Sequence, residues 1–356
     1  MRKYQHAIYA FIVIAILGLT AMVITINLRS NQQAPADQAA SSQRRLKLPV
    51  SSLKKGQLVT GQTAVRDVIG LPAFKDFAEF IFPINQQLPD RDMRLDDIQP
   101  LLPYHSHIDT ASTVRVVNDL IQARQRQEKV FYPIYSEAEM RKDPEKRNSG
   151  LFFFRGRKNA PTAVISPGGG FEYVGAIHES MPLALALSEK GYNASAFSVQ
   201  YRLGSEQKAA EDFAAGLAFI SCNEKQLQVS LRNYSVWGAS AGARMAADIA
   251  SYGPDTFGAD FKSRPAAVIM QYTSRSEFRR TDPPTYAVVG DDDAIVPPAI
   301  MRQRINNLKK AGVIAEFHHF PRLEHGFALG IGTSAEGWQN SALAFWERQL
   351  APNQKR

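Results

Sequence analysis

Residues 234–244 read Tyr-Ser-Val-Trp-Gly-Ala-Ser-Ala-Gly-Ala-Arg, and the stretch changes character at its centre. Tyr234 to Trp237 is a short apolar run of strand type, whereas the residues from Ala241 onward are Ala-rich and of helix type. Between them stands Gly238-Ala239-Ser240-Ala241-Gly242. A serine hydroxyl is a weak nucleophile unless it is held exposed beside a base, which a sharp strand-to-helix turn with small flanking residues achieves. Ser240 is therefore the candidate nucleophile. By itself the pattern fits an ordinary tight turn equally well, so the flanks have to decide.

Outward from this stretch, everything after residue 151 alternates in the same way. Strands are expected at Leu151–Phe154, Ala163–Ser166, Ala194–Tyr201, Ala266–Tyr272, Thr285–Gly290 and Ile314–Phe320. Helices are expected at Met181–Lys190, Ser205–Cys222, Pro298–Ala311 and Ala335–Leu350. Strands that alternate with helices imply βαβ units, hence an α/β fold with a mostly parallel, doubly wound sheet. In such a sheet ligands collect at the carboxyl ends of the strands.

Three turns at those ends carry chemistry. Ala163-Val164-Ile165 leads into Ser166-Pro167-Gly168-Gly169-Gly170-Phe171, where no side chain blocks a substrate. Backbone N–H groups there, with that of Ala241, suit the stabilisation of an oxyanion. A phosphate loop would carry Lys-Ser or Lys-Thr after the glycines, and this one does not. Val288-Val289-Gly290 leads into Asp291-Asp292-Asp293, any of which has the carboxylate needed to orient an imidazole. His325, in Leu323-Glu324-His325-Gly326-Phe327, follows the last strand and is placed to act as general base. The chain order is Ser, then Asp, then His, as in one known arrangement of the serine triad.

With these motifs in hand, residues 151–350 resemble the α/β-hydrolase superfamily. The likeness is to esterases and lipases with a Pro-Gly-Gly-Gly oxyanion loop, near the acetyl-esterase and dienelactone-hydrolase-like members. It rests on the Gly-Ala-Ser-Ala-Gly elbow, the strand ending in Tyr201-Arg202, the Gly290-x-x-Asp293-x-x-Val296 turn and His325-Gly326-Phe327. The resemblance implies a triad of Ser240, Asp293 and His325, with Gly169, Gly170 and Ala241 as oxyanion donors. It implies a serine hydrolase of carboxylic esters, with short acyl groups such as acetyl, and no cofactor or metal. Phe171, His178 and Tyr272 are candidates for contact with the substrate, a small-molecule or carbohydrate ester. Glu179 stands beside His178 after the loop.

The N-terminal part differs in kind. Arg2 and Lys3 precede Ala7 to Leu28, 22 residues without a charged side chain, enough for a helix to span a bilayer. It exceeds the apolar core of a cleavable signal peptide, so a membrane signal anchor is expected over residues 1–29. A short basic N-terminus places the remainder outside a cell membrane crossed once. Residues 30–47, rich in Gln, Ala and Ser, read as a flexible linker. Residues 48–150 are expected to pack on the catalytic domain (151–356) as an N-terminal extension. Its apolar patches, among them Phe74, Phe77, Phe80, Ile81 and Phe82, are too scattered for a core of their own. A helix is expected at Thr113–Gln127.

Charge and cysteine content narrow the class. Of the formal +8, residues 1–47 hold six basic side chains and one acidic, leaving 36 basic and 33 acidic residues beyond. That balance lacks the dense basic stripe of a nucleic-acid surface. Cys222 is the single cysteine, so no intrachain disulfide forms. His105-Ser106-His107-Ile108-Asp109 has a spacing shared with partial metal sites, but no further His adjoins it and it reads as a surface or interface loop. A serine peptidase or amidase on the same fold, and a non-catalytic cell-surface binding domain, are the competing readings.

Overall fold

Continuous apolar runs, rather than alternating ones, mark strands that are covered on both faces, and those runs supply the centre of the sheet. In a computed structural model, residues 47–84, 88–90, 92–189 and 195–350 are described. Among them, eight strands form one sheet in the order β1-β2-β4-β3-β5-β6-β7-β8. These are β1 (Phe131–Pro133), β2 (Gly150–Phe154), β3 (Pro161–Ser166), β4 (Ser195–Gln200), β5 (Ser230–Ala239), β6 (Ala267–Gln271), β7 (Thr285–Gly290) and β8 (Ala315–Phe320). Every residue of β2, β6 and β7 is buried. The partly exposed β8 is the far edge.

From β4 through β8 the pairing is parallel, while β1 and β2 are antiparallel additions beside β4. The register aligns the carboxyl ends that matter. Ser166 of β3 faces Gly238 of β5, and Ala239 of β5 faces Gln271 of β6. The loops after β3, β5 and β6 consequently leave the sheet side by side.

The longer helices are α1 (Thr110–Gln125), α2 (Ser180–Glu189), α3 (Glu206–Cys222), α4 (Ala241–Tyr252), α5 (Pro298–Lys310) and α6 (Trp338–Leu350). Helix α1 starts three residues before the apolar periodicity does, because Asp109 Oδ2 accepts the Ser112 N–H at 2.8 Å and caps it. Likewise Ser205 caps α3 through the Lys208 N–H. Helix α6 begins at Trp338, later than Ala335, since residues 333–337 are used in turns that precede it.

Strand β1 is absent from the sequence reading. Three residues ending in Pro133 give no periodicity, and they become a strand only because β2 offers its edge. The sheet therefore takes its first strand from within the 48–150 region. One hydrophobic core runs from Val59 to Trp346 and includes residues of that region. Phe77 stands edge-on to Phe152 of β2 at 5.6 Å, and Phe131 of β1 lies 4.9 Å from the same ring. The described residues form one compact unit.

The expected membrane anchor, and all of the linker but Lys47, lie outside the described residues. Among the described residues, no helix is long and apolar enough to cross a membrane.

Candidate active site

The turn after β5 is sharp for a steric reason that its own sequence supplies. Ser240 has φ 50° and ψ −116°, a left-handed backbone that costs a non-glycine residue on the order of 1–3 kcal/mol. A Cβ on Gly238 would lie 2.3 Å from the Gly242 carbonyl carbon, and one on Gly242 would lie 2.0 Å from the Ser166 carbonyl oxygen. Glycine on both sides of the serine is what allows strand, turn and helix to approach this closely. The Ser240 N–H is tied to the Gln271 carbonyl at 3.0 Å, which fixes the elbow to β6.

Ser240 Oγ lies 3.0 Å from His325 Nε2, and His325 Nδ1 lies 2.8 Å from Asp293 Oδ2. With the proton on Nδ1 donated to Asp293, the Nε2 lone pair faces the serine hydroxyl and can accept its proton. The second carboxylate oxygen of Asp293 accepts the Ile295 and Val296 N–H groups at 3.0 and 2.7 Å. That turn selects among the three aspartates. Asp293 is buried, whereas Asp291 and Asp292 are exposed, Asp291 pairing with His319 at 2.7 Å.

The Gly run after β3 lies against Ser240, for a Cβ on Gly168 would come 2.8 Å from Ser240 Cβ. Gly169 has φ 123°, and a Cβ there would strike the Tyr173 carbonyl oxygen, so only glycine fits. Its own carbonyl accepts the Glu172 and Tyr173 N–H groups. The N–H groups of Gly169 and Gly170 donate to no acceptor among the described residues. Ala241 opens α4, where the N–H has no acceptor within the helix. Gly168 is different: its N–H donates to Glu179 Oε2. The Tyr201 hydroxyl, at the end of β4, reaches the Pro167 and Gly168 carbonyls at 3.1 and 3.2 Å.

The three expected substrate contacts differ in exposure. Phe171 is half-buried beside the exposed Gly170, with its carbonyl accepting the Gly204 N–H. His178 and Tyr272 have to be corrected. Both are buried, His178 at 4% and Tyr272 at 0% exposure, and present no surface to a ligand. His178 Nε2 faces the Gly326 carbonyl at 3.0 Å. The Tyr272 hydroxyl donates to Glu179 Oε1 at 2.8 Å and accepts the Ala328 N–H at 3.2 Å, while its ring meets the edge of His325 at 4.7 Å. Both therefore brace the loop that carries His325.

The sequence reading also missed a group of site neighbours. His105 packs its Nε2 2.9 Å from Glu179 Oε1 and its Nδ1 2.8 Å from the Tyr173 hydroxyl. Ser106 Oγ donates to the His325 carbonyl at 2.6 Å. Gly326 has no room for a side chain, because a Cβ would meet His105 Cα at 2.6 Å. The His-x-His-x-Asp segment is thus an interface loop whose members part company: His105 is buried, His107 exposed, and Asp109 caps α1. Among the described residues, no group of His, Cys, Asp or Glu is arranged to hold a metal. No local signal could have joined residue 105 to residue 179.

The electrostatics follow from burial. Desolvation raises the Glu179 carboxyl, but His105 and the Gly168 N–H outweigh it and hold the group at about 2. Desolvation, aided by His105, lowers the His178 imidazole to about 4. Burial raises the Tyr272 phenol well above its ordinary value, with the Glu179 charge adding to the effect. Glu179 is thus a carboxylate and His178 neutral near pH 7.

No curated protein sequence matches the chain. Residues 165–302 match a protein family described as having the alpha/beta hydrolase fold. That span contains Ser240 and Asp293 and stops short of His325. Among solved structures, an acetyl ester-xyloside bifunctional hydrolase from Caldicellulosiruptor lactoaceticus is 20% identical with a TM-score of 0.54, covering 61% of this chain and 95% of its own. MGS-M1, an alpha/beta hydrolase enzyme from a Medee basin deep-sea metagenome library, is 21% identical with a TM-score of 0.51, covering 62% and 96%. Its sheet order, its elbow and these matches give the chain the alpha/beta hydrolase fold.

Proposed function

We propose that this protein is a serine hydrolase of carboxylic esters that works through an acyl-enzyme. The observation that carries the reading is the hydrogen-bonded line from Ser240 Oγ through His325 to the buried Asp293. Ser240 Oγ attacks the acyl carbon while His325 Nε2 takes its proton, and Asp293 stabilises the imidazolium. The N–H groups of Gly169, Gly170 and Ala241 receive the oxyanion that develops. Each such donor is worth about 10²- to 10³-fold in kcat. His325 then protonates the departing alcohol, and water, activated by the same imidazole, releases the acid and restores Ser240.

The acyl group we propose is short, acetyl foremost, on the likeness of the Pro167-Gly168-Gly169-Gly170 loop to that of acetyl esterases. The uncharged run Ala7–Leu28 supports attachment to a cell membrane with the catalytic unit outside. The test is hydrolysis of acetyl, butyryl and decanoyl esters of a chromogenic alcohol by the full chain, beside Ser240→Ala. Turnover of the short esters that disappears in the variant is the expected result. A folded protein that turns over no ester, and whose Ser240 is not labelled by an alkyl phosphonate, would overturn the reading.

A further inference from the structure

Glu179 is a carboxylate with almost no exposure, and its three hydrogen bonds come from three separate parts of the chain. Oε2 accepts the Gly168 N–H from the loop after β3. Oε1 accepts the Tyr272 hydroxyl from the end of β6 and faces His105 Nε2 from the segment before α1. Nothing in the triad chemistry uses this charge. Burying a carboxylate is costly unless it is hydrogen-bonded on every side, so an arrangement that does so marks a position with a role of its own.

We propose that Glu179, held by His105, is the positioning residue of the oxyanion loop, fixing the Gly168 peptide so that Gly169 and Gly170 present their N–H groups to the acyl oxygen above Ser240. Three observations converge on it. Glu179 binds the one glycine of the run whose N–H is not available to a substrate, and that glycine lies against Ser240. The N–H groups of Gly169 and Gly170 have no acceptor among the described residues, so their direction is set by the peptide before them. The carboxylate also reaches the opposite wall of the site, because Tyr272 carries the Ala328 N–H beyond His325. Donors that are fixed before reaction need no rearrangement when charge develops, which is the source of their catalytic effect.

His105 completes the arrangement through both of its ring nitrogens. As the Nε2–H tautomer it donates to Glu179, and its Nδ1 accepts from the Tyr173 hydroxyl, which in turn accepts the Tyr104 N–H at 3.0 Å. Donors and acceptors then run in one consistent direction along Tyr104–Tyr173–His105–Glu179. Its backbone is fixed as well, since Gln99 Nε2 donates to the His105 carbonyl at 3.0 Å. A segment outside the βα alternation thereby sets the alignment of the catalytic loop. All three partners of the carboxylate are donors, so an amide in its place would turn one N–H against another.

The inference rests on the esterase reading, and the experiment separates the two. In the full chain, Glu179→Gln is compared with wild type for kcat and KM on an acetyl ester and for inhibition by a trifluoromethyl ketone, whose tetrahedral adduct places an oxyanion on the same donors. The expected result is a fall in kcat of about 10²-fold with KM changed less than about 3-fold, and a matching loss of affinity for the ketone. His105→Leu is expected to reproduce the loss. His105→Gln, which keeps an N–H donor toward the carboxylate, is expected to recover most of it.

A folded Glu179→Gln protein with kcat within about 3-fold of wild type overturns the proposal, as does a loss confined to KM. If Glu179→Gln does not fold, the His105→Leu and His105→Gln pair decides: equal kcat in both and in wild type overturns it. Absence of ester turnover in wild type, or its survival in Ser240→Ala, is the failure of the esterase reading instead.

Discussion

His105 Nε2 and Glu179 Oε1 lie 2.9 Å apart with both side chains 2% exposed, and they join the segment before α1 to the loop that faces Ser240. Beside them, Ser106 donates to the carbonyl of His325 itself. The region before β2 is therefore part of the site as well as of the core. Its removal would take away the donor to Glu179, a brace of the His325 loop and the first strand of the sheet.

Asp293→Asn tests the orientation of the imidazole. Asparagine can still receive the Ile295 and Val296 N–H groups, but its amide then points an N–H at His325 Nδ1 and favours the opposite tautomer. The expected outcome is a fall in kcat of about 10³- to 10⁴-fold on an acetyl ester, with an unchanged unfolding midpoint. Steady-state kinetics and urea denaturation check it. Asp291→Asn and Asp292→Asn, on exposed neighbours, are expected to leave kcat within about 2-fold.

Gly242→Ala tests the elbow. The new methyl carbon would meet the Ser166 carbonyl oxygen 2.0 Å away, and backbone on both sides has little room to move. A loss of about 3 kcal/mol in folding stability is expected, with a fall in kcat because the displaced strand end carries the loop proposed to bind the oxyanion. Retention of both quantities would show that the strand and helix are less tightly crossed than this distance implies.

Phe77→Ala tests how the extension is held. Phe77 is 3% exposed and packs its ring against Phe74, Phe131 and Phe152. Its truncation is expected to cost about 3–5 kcal/mol in urea denaturation monitored by tryptophan fluorescence, with KM for small esters unaffected. A single cooperative transition in the variant would indicate that the extension and the sheet unfold together; two transitions would indicate that they do not.

Acidification is expected to remove stability in two successive windows. His178 is held at about 4 in the folded state, mainly by burial, against an ordinary value near 6.5. Between those values the unfolded chain binds a proton that the folded chain refuses, so stability falls as pH drops from about 6.5 to about 4, by on the order of 3 kcal/mol. Glu179, held at about 2 against 4.5, contributes stability that is complete above 4.5 and is lost as pH falls toward 2. Urea midpoints measured from pH 7.5 to 4 check the first window. His178→Gln should flatten it, and an unaltered slope in that variant would refute the assignment.

Much of the fold is legible in the amino-acid sequence by itself. The alternation of apolar runs with helical ones and the Gly-x-Ser-x-Gly turn are local patterns, set by backbone sterics and burial within windows of a few residues. Such patterns specify their conformation wherever the chain places them, and the strands from β2 to β8 fall close to where they read, apart from the longer start of β5. Tertiary structure decided the rest. That Asp293 is the buried aspartate is a matter of which carboxylate lies under the His325 loop. That β1 is a strand at all depends on the free edge of β2. His178 and Tyr272 look like pocket residues in sequence, yet through-space packing turns them into braces. The pairing of His105 with Glu179 left no trace in sequence, because a hydrogen bond between distant segments requires complementary groups to meet but imposes no spacing on the chain between them.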